Sequence, residues 1–315
     1  MRIRVGRGKA MIPDEMLKRY VEEQIFTLPG TARARDSFSV LLTGSRATEA
    51  HVEESDVDID VLCPRDVFES VQGTAFRAGR IASPGASLYL SPERDWQRYF
   101  GETRGRPHFS LTPLDEVERQ FRQYEDVWLW VWTNAAVLHD PGNQFRRIAD
   151  GFAGYPPDVL ARKIKYRWML AAYWQVEAYP GHHASDAELL AAAASIANGV
   201  NELLRFFFLV EGRPFPYAKK LARLASQTKL GRRFGPFLGR VVDVALGRAP
   251  SIRDPWERMD EASRLLCHGD SSPDARELES ACAQAMRDAG IDAAWVQADF
   301  ANIDELLQGK LGPMP

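Results

Sequence analysis

Residues 44–61 read GSRATEAHVEESDVDIDV, and this stretch decides the fold. Ahead of it, residues 38–42 (FSVLL) are apolar and rich in strand formers, so Gly44 and Ser45 fall where a buried strand would end. At its far end Val57, Ile59 and Val61 alternate with Asp56, Asp58 and Asp60. That is the period of a second strand, and it puts all three acids on one face. A row of carboxylates at strand spacing repels itself unless positive charge compensates, and Mg²⁺ prefers oxygen ligands of this kind.

The combination resembles the signature of the nucleotidyltransferase superfamily related to DNA polymerase beta. That signature is an apolar residue, Gly, then Gly or Ser, a gap of about ten residues, then Asp, apolar, Asp or Glu, apolar. Thr43 (a weak apolar residue), Gly44, Ser45, Asp56, Val57, Asp58 and Ile59 meet it, with Ser55 before the first acid as is common in that family. A hairpin with chance acids on its wet face is the plainer alternative. A lone Asp-x-Asp would favour it; strand, Gly-Ser turn, gap and alternating acids together favour the resemblance.

What the resemblance implies is Mg²⁺-dependent transfer of a nucleoside monophosphate to a hydroxyl, with release of pyrophosphate. Asp56 and Asp58 would hold two Mg²⁺ ions, and Gly44 and Ser45 would let the backbone, an amide and a hydroxyl approach the phosphates. Arg46 either neutralises the same oxygens or is a solvated loop arginine. The superfamily usually adds a third carboxylate from a later strand. The matching strand is residues 108–112 (HFSLT), which carries no acid. Asp60 is therefore the catalytic candidate in its place, with Asp115 or Glu116 from the next turn, or His108 as a base, as alternatives.

Forty basic and 43 acidic residues give a net charge of −3, so no global field draws the chain onto nucleic acid or membrane. No long nucleic acid is expected as a partner. Cys63, Cys267 and Cys282 lie far apart without metal or redox spacing and read as buried small apolar residues. No segment has the length of a signal peptide core or a membrane span, so the expected location is cytoplasmic.

The expected fold class is α+β: a mixed-sheet nucleotidyltransferase domain with flanking helices over residues 1–148, then an all-α bundle over residues 149–315. A helix is expected over residues 13–26 and short strands over 87–90 and 108–112. Helical spacing runs through 114–138, although alternating Trp128, Trp130 and Trp132 would also suit a strand. Residues 136–145 read as an apolar end followed by an Asp-Pro-Gly turn. Beyond them helices are expected over 159–179, from a capping box at Ser185 and Glu188 to about Val210, and over 218–247, 254–267 and 274–289.

This layout is similar to single-chain aminoglycoside and lincosamide nucleotidyltransferases. In such relatives a Pro-Tyr-x-Lys run follows a long bundle helix, and Lys219 matches its lysine as a phosphate contact. Lys163 and Arg167, one turn apart, are further cationic candidates. Glu202 is either a proton acceptor or the partner of Arg205 in a surface ion pair. The preferred reading is transfer of AMP from ATP to a small-molecule hydroxyl. Nucleotide transfer onto a protein or an RNA end, as in toxin and antitoxin pairs, is an alternative. So is a nucleotide-binding protein that has lost catalysis. A homodimer is left open.

Overall fold

A computed structural model of the protein describes residues 14–27, 31–48, 55–77, 97–100, 107–178, 186–248, 251–266 and 272–297. The class is α+β, in two compact units, Met1–Ala153 and Gly154–Pro315.

Among the described residues the first unit is built on four strands: β1 (Ser39–Thr43), β2 (Val57–Cys63), β3 (Pro107–Pro113) and β4 (Ala136–His139), in the order β3-β2-β1-β4. β1 runs antiparallel to both β2 and β4, while β2 and β3 are parallel, so the sheet is mixed. Every residue of β1 is buried. β2 alternates through its first half, with Val57, Ile59 and Val61 in the core while Asp58 and Asp60 are part-buried on the opposite face. The core face packs against α1 (Asp14–Tyr20), a π turn over Val21–Ile25, α2 (Arg65–Arg77) and α3 (Gln97–Phe100). Leu17, Tyr20, Ile25 and Phe38 are among its largest fully buried side chains.

The helical spacing over 114–138 resolves into three elements rather than one. These are α4 (Leu114–Arg122), α5 (Asp126–Thr133) and β4. The break has a local cause: Tyr124 takes φ +55, a left-handed conformation that no helix continues through. The alternating tryptophans lie on α5, where Trp132 is buried and Trp128 stacks on it one turn away with ring centroids 5.6 Å apart. The apolar end read before the Asp-Pro-Gly turn is thus a strand. Asp140 anchors it, accepting from Ser39 Oγ and from the amides of Gln144 and Arg146 as α6 (Gln144–Asp150) begins.

The second unit is helical: α7 (Pro157–Glu177), α8 (Asp186–Leu209), α9 (Ala218–Ala225), α10 (Lys229–Ala245), α11 (Pro255–Leu266), α12 (Pro273–Asp288) and α13 (Ala293–Gln297). The long helix expected over 218–247 is two. Thr228 breaks it by accepting the Gly231 amide at 3.0 Å on its hydroxyl, an N-cap that starts α10 afresh. The strand expected over 87–90, the cap at Ser185 and Cys267 lie outside the described residues.

Candidate functional site

Gly44 ends β1 at φ +66, a conformation that costs a residue with a side chain about 1–2 kcal/mol. Its second constraint is steric. A Cβ here would overlap Asp58 Oδ2 and lie 3.0 Å from Asp58 Cγ. The glycine therefore lets the backbone of the turn press directly on the carboxylate across the β1–β2 pair, where Thr43 and Asp58 are register partners. Gly44 and Asp58, fourteen positions apart in sequence, thus meet in one place.

Ser45, Arg46 and Ser55 are all buried, whereas Asp56 is exposed at the mouth of β2. The turn is closed by Thr48, whose amide and hydroxyl both donate to the Ser45 carbonyl. Arg46 is no solvated loop arginine: its Nε donates to the Ser55 carbonyl at 2.7 Å and ties the two ends of the connecting loop together. Burial pushes its guanidinium down from the usual range, and the charges of Asp56 and Asp58 pull it back up. It is the compensating cation that a row of acids requires.

Asp60 stands deeper on the same face. Thr43 Oγ1 donates to its Oδ2 at 2.6 Å, and Ser110 Oγ donates to its Oδ1, so one carboxyl is held by hydroxyls from both flanking strands. Burial pushes this carboxyl up from its ordinary range, and the Ser110 and Thr43 hydrogen bonds oppose the shift. Strand β3 contributes Ser110 opposite Asp60 and His108 opposite Asp58, and no acid. Alternation places Ser110 on one face of β3 with His108 and Thr112 and does not single it out; the part played by Thr43 has no sequence signal beyond its place before Gly44. The other acids considered for the third position are engaged elsewhere, Asp115 with Arg65 and Glu116 with Arg119. Among the described residues no group of three or more His, Cys, Asp or Glu side chains is arranged to hold a metal ion.

The structure thus brings Gly44, Ser45, Arg46, Asp56, Asp58 and Asp60 together. Lys219 belongs to the second unit, exposed on α9 with its Nζ 5.4 Å from the Tyr217 ring centroid. Glu202 and Arg205 do pair, but not at the surface: Glu202 is buried and also takes a hydrogen bond from Arg167.

A family described as a domain of unknown function (DUF4037) matches residues 121–221, about a third of the chain and none of the 44–61 motif. A solved structure described as a nucleotidyltransferase-like protein from Exiguobacterium sibiricum 255-15 is similar over 87% of this chain and 78% of its own, at 8% identity and a TM-score of 0.43. Nothing matches among the curated proteins. Similarity this shallow carries no function, so the chemistry has to be read from the residues of the site. No helix among the described residues is long and apolar enough to cross a membrane.

Proposed function

We propose that Asp56 and Asp58 form the metal-holding pair of a nucleotidyl transfer centre. It moves a nucleoside monophosphate, AMP from ATP, onto a hydroxyl of a small-molecule acceptor, with pyrophosphate leaving. The observation that supports this reading is the contact of the Gly44 backbone with the Asp58 carboxylate, because it sets a left-handed turn of bare backbone against one of two aspartates that could serve as hard oxygen ligands.

The donor set suits Mg²⁺. Mg²⁺ is commonly bound by one or two carboxylates, with substrate phosphates and water completing its shell, so two aspartates suffice without a third acid. Asp56 and Asp58 would hold Mg²⁺, which would supply charge neutralisation on the triphosphate and a lowered pKa for the attacking hydroxyl. The remaining work falls to the chain. Gly44 keeps the turn close, Ser45 offers an amide and a hydroxyl to phosphate oxygens, and Arg46 fixes the loop while offsetting the charge of the aspartates. Asp60, with each oxygen taken by a hydroxyl, acts by holding β1, β2 and β3 in register beneath Asp58.

The absence of an acid on β3 favours one second reading, a nucleotide-binding protein without transfer. Pyrophosphate release separates the two. With Mg²⁺, ATP and a panel of hydroxyl-bearing acceptors, transfer gives release that Asp58→Ala abolishes. Nucleotide binding without release across the panel would replace transfer by the second reading.

A further inference from the structure

The second unit holds a charged cluster that the chemistry of the first unit does not use. Arg167 on α7 and Arg205 on α8 meet at one carboxylate. Arg167 Nη1 donates to Glu202 Oε2 at 3.0 Å, and Arg205 Nη1 donates to Glu202 Oε1. The Glu202 side chain is 6% exposed, against 14% for Arg167 and 25% for Arg205. Both guanidinium carbons lie over the buried ring of Phe215, 5.1 and 5.7 Å from its centroid. Two cations therefore converge on one acid and one ring.

The charges in this set do not balance. Among the described residues Arg167 and Arg205 form ion pairs with Glu202 and with no other acid. Each guanidinium carries five N–H donors, and Glu202 takes one from each. Arg205 Nε is fully buried with no hydrogen-bond partner. Burying cations in excess of anions is costly, and an anion from outside the chain removes the cost.

We infer that Arg167 and Arg205 form an oxyanion site that takes a phosphoryl group. Glu202 sets the two guanidinium forks in position and Phe215 is the floor beneath them. A phosphoryl group suits this set better than a carboxylate, because it brings up to two negative charges and three acceptor oxygens to two planar forks. The arginines are partly exposed while Glu202 is enclosed, so donors stay reachable from solvent after the carboxylate is satisfied. The site lies wholly within the second unit and does not depend on the reading of Asp56 and Asp58.

The test is calorimetric titration of the full chain with inorganic phosphate in the absence of Mg²⁺, at ionic strength matched with chloride and with acetate as the carboxylate probe. Phosphate is expected to bind wild type and the Asp56→Ala/Asp58→Ala variant equally. Arg205→Lys and Arg167→Lys keep the charge and lose the fork, and each should weaken binding by about tenfold with the circular dichroism unchanged. The inference is overturned by any of four results: no phosphate binding beyond the chloride control, unaltered affinity in both lysine variants, acetate binding as tightly as phosphate, or binding that disappears with the two aspartates.

Discussion

Gly44→Ala separates the steric part of the site from the conformational part, because the chain contains its own control. Gly44 has φ +66 and Gly212 has φ +67, but only Gly44 has an atom in the space a Cβ would fill; at Gly212 nothing lies within 4 Å. Alanine at either position pays the left-handed backbone term, about 1–2 kcal/mol. At Gly44 the Asp58 carboxylate must also leave its rotamer, adding about 0.5–1.5 kcal/mol. The expected losses are about 1–2 kcal/mol for Gly212→Ala and about 1.5–3.5 kcal/mol for Gly44→Ala, each read from urea unfolding on the transition of its own unit. Stability alone does not decide the matter. Gly44→Ala should also weaken Mg²⁺-dependent nucleotide binding by more than about tenfold, which is about 1.4 kcal/mol, while Gly212→Ala leaves it unchanged. Equal stability losses, or wild-type nucleotide affinity in Gly44→Ala, would refute the claim that the turn and the acid row are one site.

Two further outcomes are expected. Glu202→Ala leaves two partly buried guanidiniums without their carboxylate and should cost about 3–5 kcal/mol in urea unfolding, whereas a loss under about 1 kcal/mol would mean solvent already screens the cluster. Burial pushes the Cys63 thiol up from 9.0 and the Tyr20 hydroxyl up from 10.0, each to about 12. The folded state then keeps protons that the unfolded state releases, so stability falls as pH rises from about 9 through about 12. The thiol alone accounts for at most about 4 kcal/mol. Urea midpoints that stay level between about pH 8 and 10.5 would contradict it.

The motif was legible because its signals are local. Alternation of Asp58 and Asp60 with Val57, Ile59 and Val61 survives in β2 as an acid face opposite a core face. Gly44 falls one residue past the end of β1, as a glycine needed for a left-handed turn should. What sequence could not supply is pairing. That Thr43 and Ser110 reach the same carboxyl follows from a β3-β2-β1 order in which one neighbour is parallel and the other antiparallel, and no residue in any one strand announces this. The burial of Arg46 is likewise tertiary, since its acceptor is the Ser55 carbonyl nine residues away. Helix breaks at Tyr124 and Thr228 were hidden because the apolar period runs on through both while the backbone does not.

Calorimetric titration with ATP, in Mg²⁺ and in chelator, on wild type and on the Asp56→Ala/Asp58→Ala variant tests the central claim most directly. The account predicts binding that needs the metal and is lost when the two aspartates are removed. Binding that is indifferent to Mg²⁺, or that survives the double substitution, would contradict it.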